Sequence, residues 1–378
     1  MNRLVLIGNG FDLAHKIPTS YNDFVLWYLK DCFTIAYKDH SYEDALIKIQ
    51  RNPNGWGFPI ANKQNVSELI DHFYNCNIGA LFDSFLKFPT HLNDFQNPFL
   101  FPKKSDFLTK LLANCSVTSW VDIENEFYTQ LKYILKVRDR DQLADLNNGM
   151  ECIILKLQHY LQSIDSPSLD FKYRDIFTDD FNFKEFNLGI RKRDGPLLVL
   201  PPESPGTVKI INFNYTRTCE PYIKDRKPGI EINYIHGELF NEDNPIIFGF
   251  GDELDKDYEK LADERIKGFL RYIKSFWYLK TNNYHDLSRF IDSDFFQVCI
   301  LGHSCGLSDR TMLNMIFEHE NCKSIKIYYY VDADNKNNFT ELTEEISRHF
   351  KDKGMFRKKV VNFKYSSPMP QLLKKEVV

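Results

Sequence analysis

Leu4-Val5-Leu6-Ile7-Gly8-Asn9-Gly10-Phe11-Asp12 is the stretch from which the fold can be read. A β-branched and leucine run with nothing polar in it reads as a short strand covered on both faces. Two glycines bracket Asn9 where that strand stops, and a helical pattern follows. An α/β protein presents backbone N–H groups to a phosphate at such a turn, which places the first strand at a ligand crevice. The dinucleotide fingerprint asks for a third glycine, and Leu13 stands in its place. Asn9 tolerates left-handed geometry, so the same residues also suit a sharp turn with no ligand.

The composition sets limits. With 378 residues the chain can form one large or two moderate domains. Its 43% hydrophobic and 26% charged residues are those of a globular protein, and a net charge of −4 gives no reason to expect a nucleic-acid surface. No apolar stretch approaches the roughly 18–20 residues needed to cross a bilayer, and the first residues do not form a signal peptide. Cys32, Cys76, Cys115, Cys152, Cys219, Cys299, Cys305 and Cys322 are scattered, with no C-x-x-C pair. They suggest neither a disulfide framework nor a zinc ribbon, so a reducing cytoplasm and no metal are expected.

Two regions differ in pattern. Helical spacing runs through 24–37, 66–88, 106–114, 120–136 and 150–164, with loop-like stretches at 52–57 and 196–206. From about Thr207 short strands take over, at 208–213, 230–235, 245–249, 295–301, 324–331 and 359–363. Helices are predicted at 257–278, 309–318 and 338–350. Strands alternating with helices argue for an α/β fold with a mostly parallel, Rossmann-like sheet flanked by helices. The expected core is 1–24 plus 206–378, with 25–205 as a mainly helical insertion after the first turn.

Candidate chemistry gathers at strand ends, where open parallel sheets bind ligands. After the opening turn, Thr19 or Ser20 suits an N-cap. Ile211-Asn212-Phe213-Asn214-Tyr215-Thr216 puts Asn212 and Asn214 on one side of an extended chain. Such amides suit a ribose hydroxyl or an attacking water, or else they bond their own turn. In Tyr234-Ile235-His236-Gly237, His236 is the best general base at neutral pH, or else a hydrogen-bonded core histidine. Gly302-His303-Ser304-Cys305-Gly306 repeats the strand-turn-helix logic, with Ser308 or Asp309 as N-cap. It also resembles a serine-hydrolase nucleophile elbow, whose base would have to be His319 or His349. Trp120-Val121-Asp122-Ile123-Glu124-Asn125-Glu126 is acidic, either to suit a helix dipole or to send Asp122 or Glu124 toward the crevice.

Taken together, these segments resemble the AbiH family of bacterial phage abortive-infection proteins. The resemblance lies in 7–15, 18–24, Trp120-Val121-Asp122 with Glu124, 212–216, 235–237 and 302–309. More distantly they resemble the sirtuin-like superfamily of NAD-binding Rossmann domains. Its pattern has a glycine turn followed by serine, an Asn-Ile-Asp or Asn-Tyr-Asp motif, a His-Gly pair and a Gly-x-Ser turn. Asp12 replaces that serine, Thr216 replaces that aspartate, and Val25 stands where sirtuins carry an arginine.

The resemblance implies an anti-phage protein that binds NAD, or a related nucleotide, and hydrolyses its N-glycosidic bond. It gives Asn214 and His236 catalytic roles at the nicotinamide ribose, and Glu124 is a third catalytic candidate if its helix reaches the crevice. The ligand is expected to lie against Gly8, Asn9, Gly10, Phe11, Asp12, Tyr215, Gly237, Gly302, Ser304 and Asp309. A phage-derived trigger and self-association are further expectations; a membrane or nucleic-acid partner is not. The alternatives are a nucleotide sensor that binds a partner without catalysis, and a metal-dependent nuclease built on Asp122, Glu124 and a histidine.

Overall fold

The computed structural model describes residues 1–51, 99–113, 120–164, 172–187, 201–223 and 229–372. The chain divides into two units. The sheet unit comprises Met1–Thr19, Ile164–Tyr258 and Ile273–Val378; the helical unit comprises Ser20–Ser163 and Glu259–Tyr272.

The strands are β1 (Asn2–Ile7), β2 (Ser41–Glu43), β3 (Ile47–Arg51), β4 (Phe99–Lys104), β5 (Val208–Asn212), β6 (Ile230–Tyr234), β7 (Phe296–Leu301), β8 (Cys322–Tyr329) and β9 (Ser367–Pro368). Six of them form one sheet in the order β6-β5-β1-β7-β8-β9, every pair parallel. This is the order of a doubly wound, Rossmann-like sheet, and the direction of winding reverses beside β1.

Alternate residues leave opposite faces of a strand. Leu4 and Leu6 of β1 enter one apolar cluster with Val298, Ile300, Ile325 and Ile327, while Val5 and Ile7 enter another with Ile210, Cys299 and Leu301. The unbroken apolar run of β1 follows from this double coverage. Gln297 and Lys326, polar residues within these strands, both bond the buried Glu185 (2.8 and 2.6 Å).

Register decides where function can sit. Ile7 pairs with both Asn212 and Leu301, and Asn212 pairs with Tyr234. The last residues of β1, β5, β6 and β7 therefore form one row, and the turns after them leave the sheet along one edge.

The helical unit holds the antiparallel sheet β2-β3-β4, which the sequence pattern did not predict, and helices over Tyr21–Asp39, Asp106–Ala113, Trp120–Val137 and Arg140–Gln162. Of the Thr19-Ser20 pair, Ser20 is the cap. Its hydroxyl accepts from Asp23 N while the Asp23 carboxylate accepts from Ser20 N, both at 3.1 Å. Such a capping box contributes about 1 kcal/mol.

Three predicted elements differ. The run 245–249 is no strand: Ile247 N donates to His236 O (2.8 Å) and Glu238 N donates to Asn244 O (2.9 Å), so this buried segment folds back on the turn after β6. The single helix over 257–278 is broken into Tyr258–Asp263 and Lys274–Trp277. Gly268 interrupts it with φ +113°, and its carbonyl accepts from Asn147. At 359–363 only Val360 bridges to Ile325, because the helix Lys353–Lys359 precedes it and the last strand comes later. The predictions at 52–57, 66–88 and 196–200 lie outside the described residues. Among those residues, no helix is long and apolar enough to cross a membrane.

Candidate functional site

The turns after β1 and β7 are locked together by backbone. Gly10 N donates to Gly302 O at 2.8 Å. A Cβ on Gly8 would lie 2.6 Å from His303 Cα, and one on Gly302 would lie 2.2 Å from Phe11 N. Gly302 also has φ +69°, which favours glycine. The glycines of the opening motif are thus required by close backbone approach. Since the Gly10 N–H is already engaged, it is not available to a phosphate in this conformation.

Two buried carboxylates mark the two sides of this joint. On the β1 side, Asp12 lies in the short helix Asn9–Ala14. Its Oδ2 accepts from the Thr216 hydroxyl (2.6 Å), and Thr218 donates to Thr216 (3.2 Å). Its Oδ1 is buried and makes no hydrogen bond. Burial pushes the carboxyl up to about 6, against the pull of hydrogen bonds from Thr216, Thr218 and Asn214. Asn214 Nδ2 donates to Gly8 O (3.0 Å), which ties the turn after β5 to the turn after β1. Asn212 serves its own turn, accepting from Asn214 N (3.1 Å) and donating to Thr216 O (3.0 Å).

On the β7 side, Asp309 begins the helix Arg310–Glu318 but makes no side-chain cap. Its Oδ1 accepts from Lys274 Nζ (2.8 Å) and from His236 Nε2 (3.1 Å). Burial alone would raise this carboxyl. Lys274 foremost, then His236 and His303, outweigh burial and hold it well below the usual carboxylate range. Tyr278 OH also lies 3.2 Å from His236 Nε2. With Nε2–H directed at Asp309, Nδ1 becomes the basic nitrogen of His236.

His303 Nδ1 accepts from Cys305 N (3.0 Å), so its proton sits on Nε2, 3.8 Å from Asp309 Oδ2. Burial pushes this imidazole down to about 4, against the upward pull of Asp309. It is therefore neutral at pH 7. Phe213 lies between the two sides, its ring 5.0 Å from that of His236 and 4.1 Å from that of His303.

The sheet unit thus brings together Gly8, Gly10, Asp12 and Asn214 on one side, and His236, Gly302 and Asp309 on the other. Asn9 is half-buried in the opening turn, and Phe11 is buried against His15 and Tyr173. Tyr215 OH donates to Ile247 O (3.2 Å), and Gly237, at φ +87°, is pressed against the Pro245 carbonyl. Ser304 is exposed. The left-handed residues of its turn are Gly302 and Cys305 (φ +55°), not Ser304. His319 pairs with Asp292 (3.1 Å) and His349 with the Cys305 carbonyl (2.7 Å). This turn lacks the strain on the serine that a nucleophile elbow has, and the serine-hydrolase alternative loses its support.

Glu124 belongs to the helical unit, where it shares the buried face of its helix with Phe127, Tyr128 and Leu131. The Asp122 side chain lies outside the described residues. Sequence reasoning missed Lys274, Thr218 and the pairing of Asp309. Lys274 carries no local signal, since it looked like one more helical lysine.

The model of the family described as bacteriophage abortive infection AbiH matches residues 4–331. Neither a curated protein nor a solved structure matches the chain. The matched span runs from within β1 to just past β8 and contains Gly8, Gly10, Asp12, Asn214, His236, Lys274, Gly302 and Asp309. The chain belongs to the AbiH family of bacteriophage abortive-infection proteins.

Proposed function

We propose that the sheet unit binds NAD or a related nucleotide and hydrolyses its N-glycosidic bond as part of phage defence. One observation carries this reading. Register brings Asn214, Asp12 and a His236 oriented by Asp309 to the carboxyl ends of neighbouring strands, where the winding reverses. Water attacks the ribose anomeric carbon, the bond from that carbon to nicotinamide nitrogen breaks, and nicotinamide leaves neutral. His236 Nδ1 takes the proton released by the water. Asn214 orients the water and the ribose hydroxyls. Asp12, buried behind the opening turn, holds the Thr216 hydroxyl and so braces the turn that carries Asn214.

Two departures from the sirtuin-like pattern touch one another. Where that superfamily has serine and aspartate, this chain has Asp12 and Thr216, which hydrogen-bond at 2.6 Å.

The test is incubation of the purified protein with NAD. Release of nicotinamide and ADP-ribose, lost in His236→Ala and Asn214→Ala, is expected. No turnover with or without phage lysate, together with a His236→Ala variant that still protects cells, sinks the reading. A second reading, a sensor that binds the nucleotide intact, is favoured by the engaged Gly10 N–H, because the glycine turn then serves assembly instead of phosphate contact. Recovery of unaltered NAD from a stable complex would establish it.

A further inference from the structure

Lys274 and His236 share one acceptor, Asp309 Oδ1, at 2.8 and 3.1 Å. All three groups are buried, Lys274 to 1% exposure. Other titratable groups near the pair are His303, 3.8 Å from Oδ2, the Tyr278 hydroxyl, 3.2 Å from His236 Nε2, and the buried Cys305 and His349, which feel the Asp309 charge while burial raises the thiol and lowers the imidazole. His303 is neutral at pH 7, as described above, so Lys274 is the one named neighbour of this pair that supplies a positive charge.

We infer that Lys274 keeps the Asp309–His236 pair one proton short at neutral pH, and so keeps His236 a base. Three charges at such distances interact strongly, and the pair titrates as a unit. With the ammonium present, the carboxylate is neutralised, and adding a proton to the pair would leave a net positive charge in the interior. Without it, the buried carboxylate is uncompensated and draws a proton, onto the imidazole or onto itself. A protonated imidazole has no lone pair for catalysis; a protonated carboxyl no longer anchors one. Lys274 is thus a positioning residue that acts through Asp309. This rests on the reading of His236 as the base, but the charge relation is measurable without any ligand.

The experiment is NMR titration of the His236 ring in the full-length, ligand-free protein. Lys274→Met is expected to raise the midpoint at which the pair takes up its proton by about one unit or more, while Lys274→Arg leaves it in place. Asp309→Asn, which retains the ammonium, must move it downward, and this variant decides the matter if Lys274→Met does not fold. A wild-type midpoint in folded Lys274→Met, or an unmoved midpoint in Asp309→Asn, overturns the inference. Absence of NAD turnover counts against the preceding reading and leaves this one intact.

Discussion

Asp12 and Asp309 are buried to nearly the same extent, 1% and 6% exposed, and sit on opposite sides of one backbone joint. Their charges are pushed in opposite directions. Asp12 meets only hydroxyls and an amide, keeps one oxygen unbonded, and is raised to about 6. Asp309 meets an ammonium and two imidazoles and is held well below the ordinary range. Depth is therefore not what decides ionisation here; the partner is. The β1 side is poised to hold or release a proton near neutrality, whereas the β7 side stays ionised.

The largest expected effect breaks the β7 side. Asp309→Ala leaves Lys274 buried without its carboxylate, and removing one partner of such a pair costs about 3–5 kcal/mol. Urea denaturation at pH 7 checks this; a loss below about 1 kcal/mol would mean the two sides are not as different as their partners imply.

Asp12→Asn is expected to act in the opposite sense. The folded carboxyl titrates at about 6 against an ordinary 3.8, so the folded state resists ionisation that the unfolded chain accepts. The cost is present in full above about pH 6 and fades as pH falls toward 3.8. At about 1.4 kcal/mol per unit, the variant gains up to about 3 kcal/mol at pH 7.5 and nothing near pH 4. His303 adds a slope of its own. Neutral in the fold down to about 4 but ordinarily titrating at 6.5, it makes the protein lose stability as pH falls through that window, with or without Asp12. Melting curves across pH 4–8 separate the two contributions, and equal gain at both ends would refute the assignment to Asp12.

The smallest effect sharpens the β1 side. Thr216→Val removes the hydroxyl from Asp12 Oδ2 and is expected to cost about 1–2 kcal/mol at pH 7.5, less at pH 4, while moving the Asp12 midpoint further up. Denaturation at the two pH values measures it.

Much of the sheet was legible in the sequence. The apolar run of β1, the strands near 208, 230 and 296, and the turns after them all stand where the pattern placed them, because fully covered strands admit few polar residues. The failures share a cause. The run 245–249 is as apolar as a strand, but its backbone partners lie in the turn after His236, and no local pattern reports a partner. Gly268 breaks a helical spacing that is otherwise regular. In the site, His236 and Asn214 could be named from their strand-end position. Lys274 could not, because its meaning comes entirely from Asp309, and Asp12 was noticed only as an anomaly. The hydrogen bond between Asp12 and Thr216 needs three dimensions to be seen.

The central position of β1 has a consequence for biosynthesis. It precedes every other strand of its sheet, yet its neighbours begin at Val208 and Phe296. Pairings so distant in sequence form slowly and late, and no nascent chain shorter than these strands can assemble the row of strand ends. Asp12 must wait for Thr216, and His236 for Asp309.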